Sequence, residues 1–144
     1  MHLQPVIKKP NGNRWCGPAV VSSLMGIDTD HAARLIRQVT GKANCTRTTH
    51  SVIMETLMRA GFRLDVKLIR GSRDGITLAQ WLRDSKDARG QGRVFLVAAG
   101  SHWQLIEGDQ YVCGLTKDVV TLRHPRVRTR GRVTFVAEVA KMHS

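Results

Sequence analysis

The sequence predicts an α+β fold: a helical N-terminal half packed on an antiparallel C-terminal sheet. Three observations carry this. Up to Gly61 the apolar residues recur with a helical period, in three stretches bounded by capping residues and glycine stops. From Phe62 the period changes to two. After Arg93 short apolar runs follow one another, separated by glycine-containing turns. Residues 1–144 contain no internal repeat, low-complexity tract or linker, so they read as one domain. A chain of that length buries roughly two-thirds of the surface it exposes when unfolded.

Residues 1–13 read as an extended arm, because Pro5, Pro10, Asn11, Gly12 and Asn13 all disfavour helix. The first helix follows. Pro18 suits its opening turn, where a missing N–H costs nothing; Val20, Val21, Leu24 and Met25 form its apolar run, and Gly26 its stop. Asp28 or Thr29 caps a second helix, in which Ala32, Leu35, Ile36 and Val39 share a face to about Gly41. Residues 42–47 read as a loop holding Cys45. Thr48 or Thr49 caps a third helix, with Val52, Ile53, Thr56, Leu57 and Ala60 inward and Gly61 as its stop.

Phe62, Leu64, Val66 and Leu68 then alternate with Arg63, Asp65 and Lys67, the pattern of a half-buried strand. Thr77-Leu78-Ala79-Gln80 is a capping-box pattern that opens a short fourth helix, with Leu78, Trp81 and Leu82 inward. Val94–Ala99 is apolar throughout, which predicts a central strand covered on both faces. Further strands are expected at His102–Glu107, Gln110–Cys113, 119–122 and 133–139.

Composition narrows the function classes. No apolar run approaches the roughly 20 residues of a membrane-spanning helix. The first residues lack the charged-then-apolar pattern of a signal peptide. Three cysteines, few and odd in number, argue against a disulfide framework and point to a reducing, cytoplasmic compartment. They are spaced 29 and 68 apart without a C-x-x-C or H-x-x-x-H pair, so no metal site and no cofactor is expected. The charge is strongly basic: 23 Lys and Arg against 11 Asp and Glu give a formal +12. Such a balance attracts nucleic acid, anionic lipid heads or acidic proteins, or it reflects an arginine-rich proteome. Residues 123–132 concentrate it, with Arg123, Arg126, Arg128, Arg130 and Arg132.

Cys16 opens the first helix within Asn13-Arg14-Trp15-Cys16-Gly17-Pro18-Ala19-Val20-Val21. A thiol there faces unpaired backbone N–H groups and the positive end of the helix dipole, and both favour the thiolate that a nucleophile needs. Such a nucleophile also requires an imidazole within hydrogen-bond reach. His2 and His143 lie near the ends, His31 and His50 in the first turns of polar helix faces, and His124 before Pro125 in the arginine-rich turn. His102 differs. It opens a strand directly after Gly100-Ser101, where a side chain is held at the rim of a sheet and stays reachable.

N-R-W-C-G-P-A-V-V, followed 86 residues after its cysteine by G-S-H-W-Q-L-I, resembles the papain-like cysteine peptidase clan. The nearest branch comprises the bacteriocin-leader (double-glycine) processing peptidases and their short stand-alone relatives in bacteria and phages. The resemblance extends to the order of elements, while its specific motifs occupy about 16 residues. It implies Cys16 as nucleophile and His102 as general base. The branch usually carries an oxyanion-stabilising glutamine about six residues before the cysteine. Here that residue is Pro10, and Asn13 is the nearest amide, either donating to the oxyanion or shaping the turn into the helix. The acid that orients the imidazole normally follows on the next strand. At that place the sequence reads Tyr111-Val112-Cys113-Gly114-Leu115, without a carboxylate. Asp118 lies slightly late and is the first choice, and Asp109 in the preceding turn is the second.

Trp15 and Trp103 flank nucleophile and base, and either pack or wall the cleft. The substrate groove would come from the loops at 42–47, 70–75 and 84–92. Two functions follow. One is a peptidase acting through a thioester on a peptide or protein segment, an acidic one given the basic surface. The alternative is a papain-like scaffold without catalysis, binding nucleic acid or an acidic partner through Arg123, Arg126, Arg128, Arg130 and Arg132.

Overall fold

The computed structural model describes residues 2–8, 16–42, 48–71, 73–90 and 92–142. Three helices come first: α1 (Cys16–Met25), α2 (Thr29–Thr40) and α3 (His50–Arg59). Strand β1 (Phe62–Ile69) and helix α4 (Leu78–Asp84) follow. The remainder is sheet: β2 (Val94–Ala99), β3 (His102–Glu107), β4 (Gln110–Cys113), β5 (Val120–Thr121) and β6 (Val133–Lys141). All six strands form one antiparallel sheet in the order β1-β6-β2-β3-β4-β5. The α+β architecture, helices before sheet, is the one the sequence predicts.

The caps settle the boundaries. Asp28 caps α2 by accepting from the His31 N–H at 2.8 Å, and Gly41 closes it in the left-handed region at φ 69°. Thr49 caps α3, and Thr77 caps α4 through the Gln80 N–H. Gln80 does not complete the capping box; its amide donates instead to Asp84 one turn on. The helix reading therefore stands while half of the box does not.

β2 is buried along its whole length because both faces of the sheet are covered. Val94, Leu96 and Ala98 face the layer of α1, α2 and α3, together with Val20, Val21, Ile36, Ile53 and Leu57. Phe95, Val97 and Ala99 face α4, with Leu78, Trp81, Tyr111 and Cys113. β1 lies at the sheet edge, so its burial fades from Phe62 to the exposed Ile69.

The N-terminal arm has no helix over its described residues, as expected, and is docked: Val6 is buried and donates to the Lys117 carbonyl at 2.7 Å, and Ile7 bridges Asp28. His2, read from sequence as a chain-end residue, contacts the buried carboxylate of Glu107 at 2.7 Å. The arginine-rich stretch is a series of turns, with the Arg132 position pairing against Thr77 just before β6.

Candidate active site

The two residues singled out by the sequence meet at one cavity. Cys16 is the first residue of α1, and His102 the first of β3. The turn before His102 is Gly100-Ser101, both at φ 59°. Two consecutive left-handed residues make the tight hairpin turn whose twist suits the flanking strands. This fixes where His102 leaves the turn, and β2 pairs Ala99 directly opposite it. Gly131 packs on the same turn; a Cβ added there would come within 3.0 Å of the Gly100 nitrogen.

The residue after Cys16 is tightly packed. Gly17 sits so close to Thr48 that a Cβ at that position would collide with the threonine side chain. The Thr48 carbonyl in turn accepts the indole N–H of Trp103 at 2.8 Å. Trp103 packs edge-on to Phe135 with ring centroids 5.6 Å apart, and His50 stacks on Phe135 at 5.5 Å. The start of α1, the residue before the α3 cap and the rim of the sheet thus form one packed unit. Cys16, His50, Arg70, His102, Trp103 and Phe135 line its cavity of about 640 Å³. A second cavity of about 550 Å³ lies across His102, bounded by Gln104, Val127, Arg128 and Arg130.

The electrostatics pair the two groups. Burial pushes the Cys16 thiol up, but a hydrogen bond to His102, the Trp103 backbone N–H and the imidazolium charge outweigh it, leaving the thiol below its ordinary 9.0. Burial pulls His102 down, yet hydrogen bonds to Cys113 and Cys16 and their charges raise it to about 9. Each group shifts the other toward its charged form, thiolate beside imidazolium, a nucleophile next to a proton donor.

The remaining sequence-derived residues fall elsewhere. Asp109 occupies the β3–β4 turn, with its side chain 93% exposed and 4.0 Å from Arg89. Asp118 is exposed in the turn after β4, its N–H bonded to the Thr116 carbonyl. Neither carboxylate is among the groups acting on His102. Asn13, Trp15 and Cys45 lie outside the described residues. Arg123, Arg126, Arg128, Arg130 and Arg132 are exposed, and Arg128 and Arg130 reach the rim of the second cavity.

His50 is exposed, as its polar helix face predicts, and its stacking on Phe135 also makes it part of the cavity wall. The residue that the sequence does not single out is Cys113, which it places only within a strand. The signal for Cys113 was the position itself, since it stands where the resemblance expects an orienting side chain. Of the expected groove loops, Arg70 contributes, whereas the described residues of 84–92 line neither cavity.

Among the described residues no three His, Cys, Asp or Glu side chains are gathered closely enough to hold a metal ion, and no helix is long and apolar enough to cross a membrane. No known family profile matches the sequence, and no curated protein does. Solved structures do match. The peptidase domain of Streptococcus ComA, a bifunctional ABC transporter of a quorum-sensing pathway, superposes with a TM-score of 0.57 at 18% identity, over 99% of this chain and 100% of that one. A double-glycine-motif protease from an AMS/PCAT transporter, solved with its leader peptide, gives a TM-score of 0.56 at 10% identity, over 98% and 93%. The fold of this chain is the fold of those peptidase domains, end to end.

Proposed function

We propose that the protein is a cysteine peptidase in which Cys16 is the nucleophile and His102 the acid–base partner. The observation that carries this reading is the thiol at the start of α1 and the imidazole at the start of β3 lining one open cavity. The Cys16 thiolate attacks a peptide carbonyl, and the developing oxyanion is met by the Cys16 backbone N–H. The His102 imidazolium gives its proton to the leaving amine, leaving a thioester. Neutral His102 then takes a proton from water, the resulting hydroxide attacks the thioester, and the thiolate departs.

The substrate is a peptide, a class supported by the second structural neighbour, which was solved with a leader peptide. Exposed Arg70, Arg128 and Arg130 at the two cavity rims favour acidic side chains on it. Iodoacetamide near pH 6 is expected to label Cys16 well ahead of Cys45 and Cys113, and His102→Ala to abolish that preference. Cleavage of acidic peptides, followed by mass spectrometry, should vanish in Cys16→Ala. Equal labelling of all three cysteines in the native protein would overturn the reading.

A second reading rests on the five exposed arginines before β6. In it the scaffold binds nucleic acid through phosphate contacts and performs no cleavage. Its affinity for duplex DNA would fall steeply with salt; absence of binding at low ionic strength removes it.

A further inference from the structure

His102 has two neighbours, and only one of them is the nucleophile. The Gly108-Asp109 turn sets β4 against β3 so that Cys113 lies directly opposite Gln104, and Tyr111 opposite Ile106. Directly paired residues share a face, and alternation puts His102 on that face too, one diagonal step from Cys113. Both β4 residues are buried: Cys113 is 0% exposed and Tyr111 1%. The Tyr111 hydroxyl donates to Gln104 Oε1 at 2.7 Å, and the Gln104 amide returns to the His102 carbonyl at 3.3 Å. Around the sulfur, the chain turns back so that the Cys113 N–H meets Thr116 Oγ1 at 3.2 Å. The Thr116 N–H, the Tyr111 hydroxyl and the His102 ring are the polar groups that act on the Cys113 thiol.

Among the described residues no carboxylate acts on the imidazole, and Asp109 and Asp118 are both exposed. Yet His102 Nε2 is buried and has no well-aligned hydrogen-bond acceptor among the described residues. A neutral thiol beside it is a weak acceptor; a thiolate is a strong, charge-assisted one. Taking Cys16 and His102 as the reacting pair of the proposed peptidase, we propose that Cys113 replaces the carboxylate as the third member. Its thiolate accepts a hydrogen bond from the imidazolium and holds the ring toward Cys16. Cys113 is a positioning residue, since it touches neither substrate nor the bond that breaks.

The surroundings support its ionisation. Burial pushes the Cys113 thiol up, but the His102 ring, the Tyr111 hydroxyl, the imidazolium charge and the Thr116 N–H together bring it down to about 7. The titratable groups acting on it are His102 from β3 and Tyr111 from β4; Arg128 from the loop before β6 acts on Tyr111, and Lys8 bonds the adjacent Gly114 carbonyl. The consequence is a pH dependence that a carboxylate would not give. Cys16 reactivity rises through a step near pH 7, as Cys113 loses its proton.

The test is the rate of Cys16 alkylation by iodoacetamide, read on the Cys16 peptide by mass spectrometry, from about pH 5 to about pH 9. Native protein, Cys113→Ser, Cys113→Asp and His102→Ala are compared, each checked for folding by circular dichroism. In Cys113→Ser, which keeps a small polar group but does not ionise, the step near pH 7 disappears and the rate at pH 8 falls about tenfold or more. Cys113→Asp restores the rate and moves the step below about pH 5. A folded Cys113→Ser whose profile coincides with the native one overturns the proposal. The underlying pair fails separately, by a His102→Ala profile that coincides with the native one. Should the Cys113 variants not fold, thiolate absorbance is titrated in Cys16→Ser. One thiol ionising near pH 7, and lost in Cys16→Ser/His102→Ala, supports the assignment; only ordinary thiols overturn it.

Discussion

Gly17→Ala puts one methyl group beside the nucleophile, and its effect follows from two opposing magnitudes. Alanine is the better helix former by about 1 kcal/mol. Gly17, however, lies in the first turn of α1, and the new Cβ would meet Thr48 Oγ1, Cβ and Cγ2 at once. Relieving such overpacking costs about 1–3 kcal/mol. Thr48 cannot retreat freely, because its carbonyl holds the Trp103 indole N–H, a bond worth about 1 kcal/mol. The steric cost wins, for a net destabilisation of about 2 kcal/mol. A domain of this size then melts roughly 4–8 °C lower. Scanning calorimetry measures the shift, and iodoacetamide labelling of Cys16 should slow as α1 is displaced from His102. Thr48→Ala removes two of the three atoms the methyl meets, so the double variant should recover part of the loss. An unchanged or raised melting temperature in Gly17→Ala would refute the claim that close approach to Thr48 requires glycine here.

Two further predictions concern the arm and the cavity wall. Glu107, 2% exposed, accepts from the Leu3 N–H at 3.1 Å and the Gly92 N–H at 2.7 Å, and contacts His2 at 2.7 Å. Burial pushes its carboxyl up, but the Leu3 and Gly92 N–H groups and His2 outweigh it, so it sits below its ordinary 4.5. Its contribution is therefore complete above pH 4.5 and is lost as pH falls through the lower folded value. Glu107→Gln turns an accepting oxygen into a donor facing donors and should cost about 1–3 kcal/mol at neutral pH. Melting temperatures taken against pH should show a shallower acid slope in the variant; equal slopes and equal stability would exclude the role. His50→Ala removes a stacked but exposed ring and should cost at most about 1 kcal/mol. Peptide-cleavage kinetics should show KM raised with kcat little changed, and a reduced kcat at constant KM would move His50 from the cavity wall into the chemistry.

Much of the fold was legible because its signals are local. A proline after Cys16-Gly17, a left-handed Gly26 and the Asp28, Thr49 and Thr77 caps act within a few residues of themselves. The apolar run of β2 told of two covered faces, because no one-sided strand has that pattern. His102 was findable for the same reason: a tight turn and a strand start are properties of adjacent residues. His50 was not, since its place depends on Phe135, 85 residues away, whose bulged strand comes in from the other end of the chain. The docked arm escaped for a similar reason, because Glu107 anchors His2 across 105 positions.

The sequence alone determined a thiol at a helix start, an imidazole at a strand start and the order of helices before sheet. Periodicity, capping and turn chemistry encode these within single elements. Only the tertiary structure decided what stands behind the imidazole. The β3–β4 register places Cys113 one diagonal from His102 while Asp109 and Asp118 point to solvent. A one-residue slip in that pairing would turn Cys113 to the opposite face, and no local pattern in Gln110–Cys113 records which register the packed sheet selects.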